Sequence, residues 1–301
     1  MKFMVRCLRS VLILFLYAIP ALCQSRVECG ALKSRILNDA VHYCALLPPG
    51  YDSVDPKHPA QRFPVLYFLH GLGDNEQTLV KSGGLSVIDD FRVRHKIGNF
   101  IMVTPEARAS FYVNSADGKV RYSDFFLQEF IPHIETKFRI DRERQARAIT
   151  GISMGGYGAL RFAFAHPELF SAVSAQSAAL MTESAEELNA AARAGSPKAK
   201  LLGSVFGTPV NAKHWKENDP ILLAEKNRVQ LRGLAIYFNC GDRDDFQFDV
   251  GAKKLDQELQ AEGIKHEFHL YPGRHDADYF YSHLGEVLEF HSKAFAASNP
   301  K

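Results

Sequence analysis

Residues 149–158 read ITGISMGGYG, which sets Ser153 between two glycines in the spacing Gly-x-Ser-x-Gly. A serine hydroxyl is a poor nucleophile until a base removes its proton, so a catalytic Ser153 needs a histidine and an orienting carboxylate elsewhere in the chain. The spacing alone arises by chance in roughly one chain of this length in ten. Its surroundings must therefore decide. RAIT is β-rich, GISMG is a turn, and GYGALRFAFAHPELF begins as a helix that His166-Pro167 terminates. Such a strand, turn and helix, with glycine on both flanks, bends without Cβ clashes and lifts the hydroxyl above the sheet edge, facing the helix N-terminus. Ser153 is expected to be a nucleophile rather than a small residue filling a tight corner.

Where a serine sits in such an elbow, the acid and then the histidine follow it in the chain. LAIYFNCGDRDDF runs from an apolar strand into an acidic loop, and HEFHLYPGRHDADYF runs from the last strand into a loop that holds His275. Among the twelve histidines, His266 and His269 are expected within that strand and His283 and His291 on the final helix, which leaves His275 as the base. Asp242, Asp244, Asp245 and Asp249 compete for the acid. Asp244, three residues past Gly241, is preferred, with Asp245 second. An oxyanion hole needs two convergent main-chain N–H groups. Met154, directly after the serine, is expected to supply one, and Leu72 in FLHGLGD the other, with Gly71 turning the backbone inward. His70, whose strand precedes the serine, is expected to support this loop rather than act as a base.

These residues need a sheet to hold them. FPVLYFLHG (63–71), NFIMVTPEA (99–107), RAITGIS (147–153), FSAVSAQSA (170–178), LAIYFNCG (234–241) and HEFHLYPG (266–273) are β-rich runs without polar alternation, the pattern of strands buried on both faces of a parallel sheet. Helical patterns separate them at about 84–95, 122–138, 154–166, 248–262 and 277–295. Alternation of this kind predicts a mostly parallel, doubly wound α/β sheet with right-handed crossovers. Two β-type runs flank Asn38-Asp39 and predict an antiparallel N-terminal hairpin at the sheet edge. The long interval 179–232, with ESAEELNAAARA and the single Trp215, predicts a small helical insertion over one end of the sheet.

Composition is that of an ordinary globular protein: 301 residues, 46% hydrophobic, 23% charged, formal charge +2. Evenly spread charge offers no footprint for nucleic acid and leaves a small or neutral ligand as the natural partner. The scattered His and Cys show no metal-ligand spacing, and no cofactor is expected. At the N-terminus, Lys2, Arg6 and Arg9 precede the apolar VLILFLYAI, followed by Pro20-Ala21-Leu22-Cys23. This is the layout of a signal peptide over residues 1–23, too short to span a bilayer, with small residues at 21 and 23 for cleavage. The expectation is a secreted or periplasmic domain of residues 24–301 without stable membrane association. Of the five cysteines the mature chain would keep Cys29, Cys44 and Cys240. Cys29 and Cys44 lie in the N-terminal strands, where a pair could form in an oxidising compartment, whereas Cys240 ends an apolar strand and reads as a buried, inert thiol.

The segments LLPPGYD, FPVLYFLHGLGDNEQ, NFIMVTPEA, YSDFFLQEFIPHIETKF, GISMGGYGALRFAFAHPELFSAVSAQSA, NCGDRDD and YPGRHD cover residues 45–290 approximately. Together they resemble the family of α/β-hydrolase esterases that includes esterase D (S-formylglutathione hydrolase), bacterial feruloyl esterases and mycobacterial mycolyltransferases. The resemblance implies a catalytic Ser153, Asp244 and His275, with Leu72 and Met154 as amide donors. FGTPVNAKHWKENDP and SFYVN are similar to the S-formylglutathione hydrolase branch, although Gly73-Asp74 stands where that branch commonly carries Thr-Cys. The function expected is a secreted serine carboxylesterase that hydrolyses small-molecule or acyl-sugar esters through an acyl-enzyme. Alternatives are an acyltransferase with the same triad, an S-formylglutathione hydrolase-like thioesterase, and a catalytically silent binding module, which the three occupied triad positions disfavour. SFYVN and the insertion around Trp215 are expected to border the pocket.

Overall fold

Each central strand places apolar side chains on both faces, so water is excluded from both and helices must cover both. In the computed structural model, which describes residues 25–53 and 61–298, the eight strands are β1 Arg26–Ser34, β2 Asp39–Leu47, β3 Val65–Leu69, β4 Ile101–Pro105, β5 Arg147–Gly151, β6 Ala172–Gln176, β7 Ala235–Gly241 and β8 Glu267–Tyr271. They form one sheet in the order β1-β2-β4-β3-β5-β6-β7-β8. β1 and β2 pair antiparallel, as do β2 and β4, and every other pairing is parallel. The expected α/β-hydrolase architecture, with its antiparallel N-terminal hairpin, is therefore the one observed. The expected signal segment, residues 1–23, lies outside the described residues.

Val65, Tyr67 and Leu69 point into one core layer, Leu66 and Phe68 into the other, and none exceeds a few per cent exposure. Helices α1 Gly84–Val93 and α10 Leu284–Ser298 cover the second layer through Ile88, Leu284, Leu288 and Phe295. The opposite layer is covered by α2 Ile131–Lys137, α3 Met154–Ala165 and α8 Phe248–Ala261, through Ile134, Phe162, Leu255 and Leu259. β8 departs from the expectation of burial on both faces: it is an outer strand, and its residues are all half-buried or exposed.

Three local differences have clear origins. The helix expected at 122–138 contains a π-helical turn at Phe126–Phe130, which brings Phe126 and Phe130 into stacked contact at 5.7 Å in the core. The helix expected at 277–295 divides at His283 into α9 Ala277–Ser282 and α10; the His283 ring stacks on Tyr271 at 4.1 Å. His266 lies just before β8, where Nε2 meets Asp256 Oδ1 at 2.8 Å. Over 179–232 the insertion consists of α4 Ala185–Arg193, α5 Pro197–Phe206, α6 Ala212–Glu217, α7 Pro220–Lys226 and a turn at Arg228–Leu231. Ser184, Ser196, Asn211 and Asp219 cap the first four through their side chains, so each helix start is written into the sequence by a residue that accepts its orphan N–H groups.

Cys29 faces Cys44 across the hairpin and the two form a disulfide, Cα atoms 4.0 Å apart. The strand order reverses at β3, flanked by β4 on one side and β5 on the other. Such a switch point leaves a crevice at the carboxyl ends of the strands, because successive crossovers depart to opposite sides.

Candidate active site

Ser153 follows β5 at this crevice with φ 55° and ψ −116°, a combination that side chains rarely adopt. Neighbouring backbone holds it there: Ser153 N–H donates to the Gln176 carbonyl at 2.9 Å, and Tyr157 and Ala179 N–H both donate to the Ser153 carbonyl at 3.0 Å. The flanking glycines are sterically required. A Cβ at Gly151 would lie 2.2 Å from the Gly155 carbonyl oxygen, and one at Gly155 would lie 1.9 Å from the Leu69 carbonyl oxygen. α3 begins at Met154, so the partial positive charge of its N-terminus lies beside the serine.

The loops after β7 and β8 bring the expected partners to the serine. Ser153 Oγ lies 2.9 Å from His275 Nε2, and His275 Nδ1 lies 2.7 Å from Asp244 Oδ2. Both partner side chains are nearly inaccessible, 8% exposed for His275 and 0% for Asp244, so their bond works in a dry environment where it is strong. Asp244 Oδ1 accepts the N–H of Phe246 at 2.9 Å and of Phe248 at 3.4 Å, while the Cys240 thiol reaches Oδ2 at 3.6 Å. Burial pushes the Asp244 carboxyl up, but the His275 bond, the imidazole charge and the two main-chain donors outweigh it and hold it below the usual carboxylate range. With Nδ1–H directed at Asp244, the lone pair of Nε2 faces the serine. This arrangement can take up a hydroxyl proton.

The other aspartates occupy separate places. Asp242 Oδ1 accepts Gly273 N–H at 3.0 Å, Asp245 pairs with the Arg274 guanidinium, and Asp249 pairs with Lys253 at 2.8 Å. Geometry thus distinguishes Asp244 from Asp245, one residue apart, as the carboxylate that meets the imidazole.

Adjacency of β3 and β5 sets the Gly71-Leu72 turn beside the elbow. Among the described residues, the main-chain N–H groups of Leu72 and Met154 have no partner within the protein. Both residues line the cleft that holds Ser153 and His275. His70, fully buried, braces this turn: its Nδ1–H donates to the Gly71 carbonyl at 2.8 Å and its Nε2 accepts Ala107 N–H at 3.0 Å. Burial pushes its pKa down and keeps the ring neutral, as this pair of bonds requires. The supporting role expected for His70 is the one its contacts describe.

The cleft has a volume of about 780 Å³. Apolar side chains dominate its walls, among them Phe111, Met181, Leu201, Leu202, Phe246 and Phe248. Phe111 belongs to SFYVN, so that segment borders the pocket as expected. The insertion borders it too, through Pro197, Lys198, Leu201 and Leu202 of α5, whereas Trp215 itself is buried against Phe206, ring centroids 4.7 Å apart. Sequence reasoning also missed Phe246, Phe248 and Phe280, whose rings surround the His275 imidazole at 4.9, 5.4 and 5.1 Å. The aromatic residues of GDRDDFQF were the available signal. Cys240 is buried as expected, and burial pushes its thiol up to about 12, but it also touches the site carboxylate.

Comparison with known proteins shows which family the chain is part of. An acetyl esterase of Caldicellulosiruptor saccharolyticus is 27% identical over 265 residues, spanning 86% of this chain and 96% of that protein. A ferulic acid esterase structure superposes with a TM-score of 0.75 at 29% identity, over 90% of this chain and 99% of that one. The substrate-bound fluorophosphonate-binding serine hydrolase F of Staphylococcus aureus shares the fold, with a TM-score of 0.74 at 21% identity over 89% of this chain and 99% of that one. The family described as "Putative esterase" matches residues 34–291, most of the chain. With the fold, the elbow and the comparisons in agreement, the chain belongs to this esterase family and is a carboxylic ester hydrolase with an α/β-hydrolase fold.

Proposed function

We propose that this chain is an exported serine carboxylesterase that hydrolyses small-molecule or acyl-sugar esters through an acyl-enzyme on Ser153. The observation that carries the reading is the unbroken line of hydrogen bonds from Ser153 Oγ through both nitrogens of His275 to buried Asp244. His275 Nε2 takes the Ser153 proton as the hydroxyl oxygen attacks the ester carbonyl. Asp244 keeps the proton on Nδ1 and stabilises the imidazolium without itself becoming protonated. The oxyanion accepts hydrogen bonds from the main-chain N–H groups of Leu72 and Met154, which line the cleft beside Ser153 and have no partner among the described residues. The imidazolium then protonates the departing alcohol. Water enters, Nε2 takes its proton, and collapse of the second tetrahedral species releases the acid and returns the proton to Ser153.

Two names among the relatives, acetyl esterase and ferulic acid esterase, point to a small and a large acyl group. The apolar walls and volume of the cleft favour the larger. The Cys29–Cys44 disulfide supports export, because such bonds persist in oxidising compartments. A panel of p-nitrophenyl esters of rising chain length, methyl ferulate and acetylated sugars tests the reading, with Ser153→Ala as control. Ser153→Ala is expected to lose fluorophosphonate labelling and to lower kcat by on the order of a thousandfold or more. Activity within tenfold of wild type would sink the mechanism. Predominant transfer of the acyl group to an added sugar alcohol, rather than to water, would reassign the chain as an acyltransferase with the same triad.

A further inference from the structure

Three carboxylates in one short loop each hold a different point of the loop that carries the histidine. Asp242 holds Gly273 N–H at 3.0 Å and Asp244 holds the imidazole at 2.7 Å. Asp245 Oδ2 accepts the main-chain N–H of His275 itself at 3.1 Å, while the Arg274 guanidinium grips both oxygens of the same carboxylate. Among the described residues, Asp245 is the sole partner of that N–H. His275 is thus fixed twice, by Asp244 through its ring and by Asp245 through its backbone. A ring held only at Nδ1 can still swing about that bond, and Nε2, on the far side of the imidazole, would carry the whole displacement relative to Ser153.

We infer that Asp245 is a positioning residue for the catalytic base, fixing the backbone of His275 at the distance from which Nε2 meets Ser153 Oγ, with Arg274 orienting the Asp245 carboxylate. The inference rests on the triad reading above. Asp245 also lines the cleft, so its charge reaches substrate from the same wall. Arg274 first, and then the His275 amide, hold the Asp245 carboxyl below its usual range, so it stays ionised throughout the neutral region. A misplacement of about 1 Å in such a group costs up to a hundredfold in rate. Because the Arg274–Asp245 pair is on the surface, the variants should remain folded.

The test compares Asp245→Ala, Asp245→Asn and Arg274→Ala on one p-nitrophenyl ester, with kcat and KM separated and the rate of fluorophosphonate labelling of Ser153 measured alongside. Asp245→Ala is expected to lower kcat by about tenfold to a hundredfold, with KM within threefold and labelling slowed in parallel. Asp245→Asn keeps a carbonyl oxygen for the His275 N–H and should recover to within about fivefold of wild type. Arg274→Ala should fall between them, and the Asp245→Ala/Arg274→Ala double variant should be no worse than Asp245→Ala, because the two act through one contact. Wild-type kcat in Asp245→Ala, a loss confined to KM, or an Asn variant as poor as the Ala variant would each overturn the inference. Failure of the triad reading would look different: Ser153→Ala and His275→Ala would then retain activity, whatever Asp245 does.

Discussion

Replacing Asp244 by Asn examines the site most sharply, because the surroundings dictate which way the new amide must face. Oδ1 of Asp244 accepts two main-chain N–H groups, from Phe246 and Phe248, and only the carbonyl oxygen of an asparagine can take that place. The NH2 group is then forced into the position of Oδ2, 2.7 Å from His275 Nδ1, where it donates to the ring. Nδ1 must become the acceptor and the proton moves to Nε2, which faces Ser153 Oγ at 2.9 Å with a hydrogen instead of a lone pair. The nucleophile loses its base although no atom has moved far. Neutralising a triad acid in this way lowers kcat by roughly 10⁴, about 5.4 kcal/mol of transition-state stabilisation. The assay is kcat/KM on a single p-nitrophenyl ester at pH 7.5, with circular dichroism to confirm folding and Asp242→Asn and Asp245→Asn in parallel. Both controls should stay within about tenfold of wild type, since neither carboxylate touches the imidazole ring. An Asp244→Asn enzyme within tenfold of wild type, or an Asp245→Asn enzyme as crippled as expected for Asp244→Asn, would refute the reasoning.

Other consequences can be checked independently. His291 is wholly buried, with Nε2 2.8 Å from Ser174 Oγ, and burial pushes its pKa from 6.5 down to about 3. The unfolded chain therefore binds a proton that the folded chain refuses, so stability is full above pH 6.5 and falls below it, by up to about 1.4 kcal/mol per pH unit. Melting temperatures between pH 7 and 5 should decline, and His291→Gln should flatten the decline; an unchanged slope would count against this account. Gly155→Ala places a Cβ against the Leu69 carbonyl and should cost about 3 kcal/mol or more, read as a lower urea midpoint, and a wild-type midpoint would contradict the steric argument. Intact-mass analysis of protein recovered from the native host's periplasm or medium should find residues 1–23 removed, and a mature chain beginning at Met1 would exclude export by cleavage.

Local chemistry was legible in the sequence wherever a residue's neighbours along the chain set its role. Gly151 and Gly155 announce the elbow because only a missing Cβ tolerates carbonyl oxygens at 2.2 and 1.9 Å. The apolar runs announce a sheet covered on both faces because alternate side chains, Tyr67 on one and Phe68 on the other, enter different core layers. His275 could be picked from twelve histidines because the loop after the last strand returns to the sheet's carboxyl edge. Contacts between segments distant in the chain were decided only by the tertiary structure. The choice between Asp244 and Asp245 depends on a loop path that puts one carboxylate on the ring and the other on the backbone of the same histidine. Which part of the insertion around Trp215 reaches the pocket is likewise set by packing: α5 lines the cleft, while α6 turns Trp215 into the core. The aromatic enclosure of His275 belongs to the same class. It joins the loops after two different strands, so its geometry is set by strand order and crossover path, which composition and spacing along the chain do not encode.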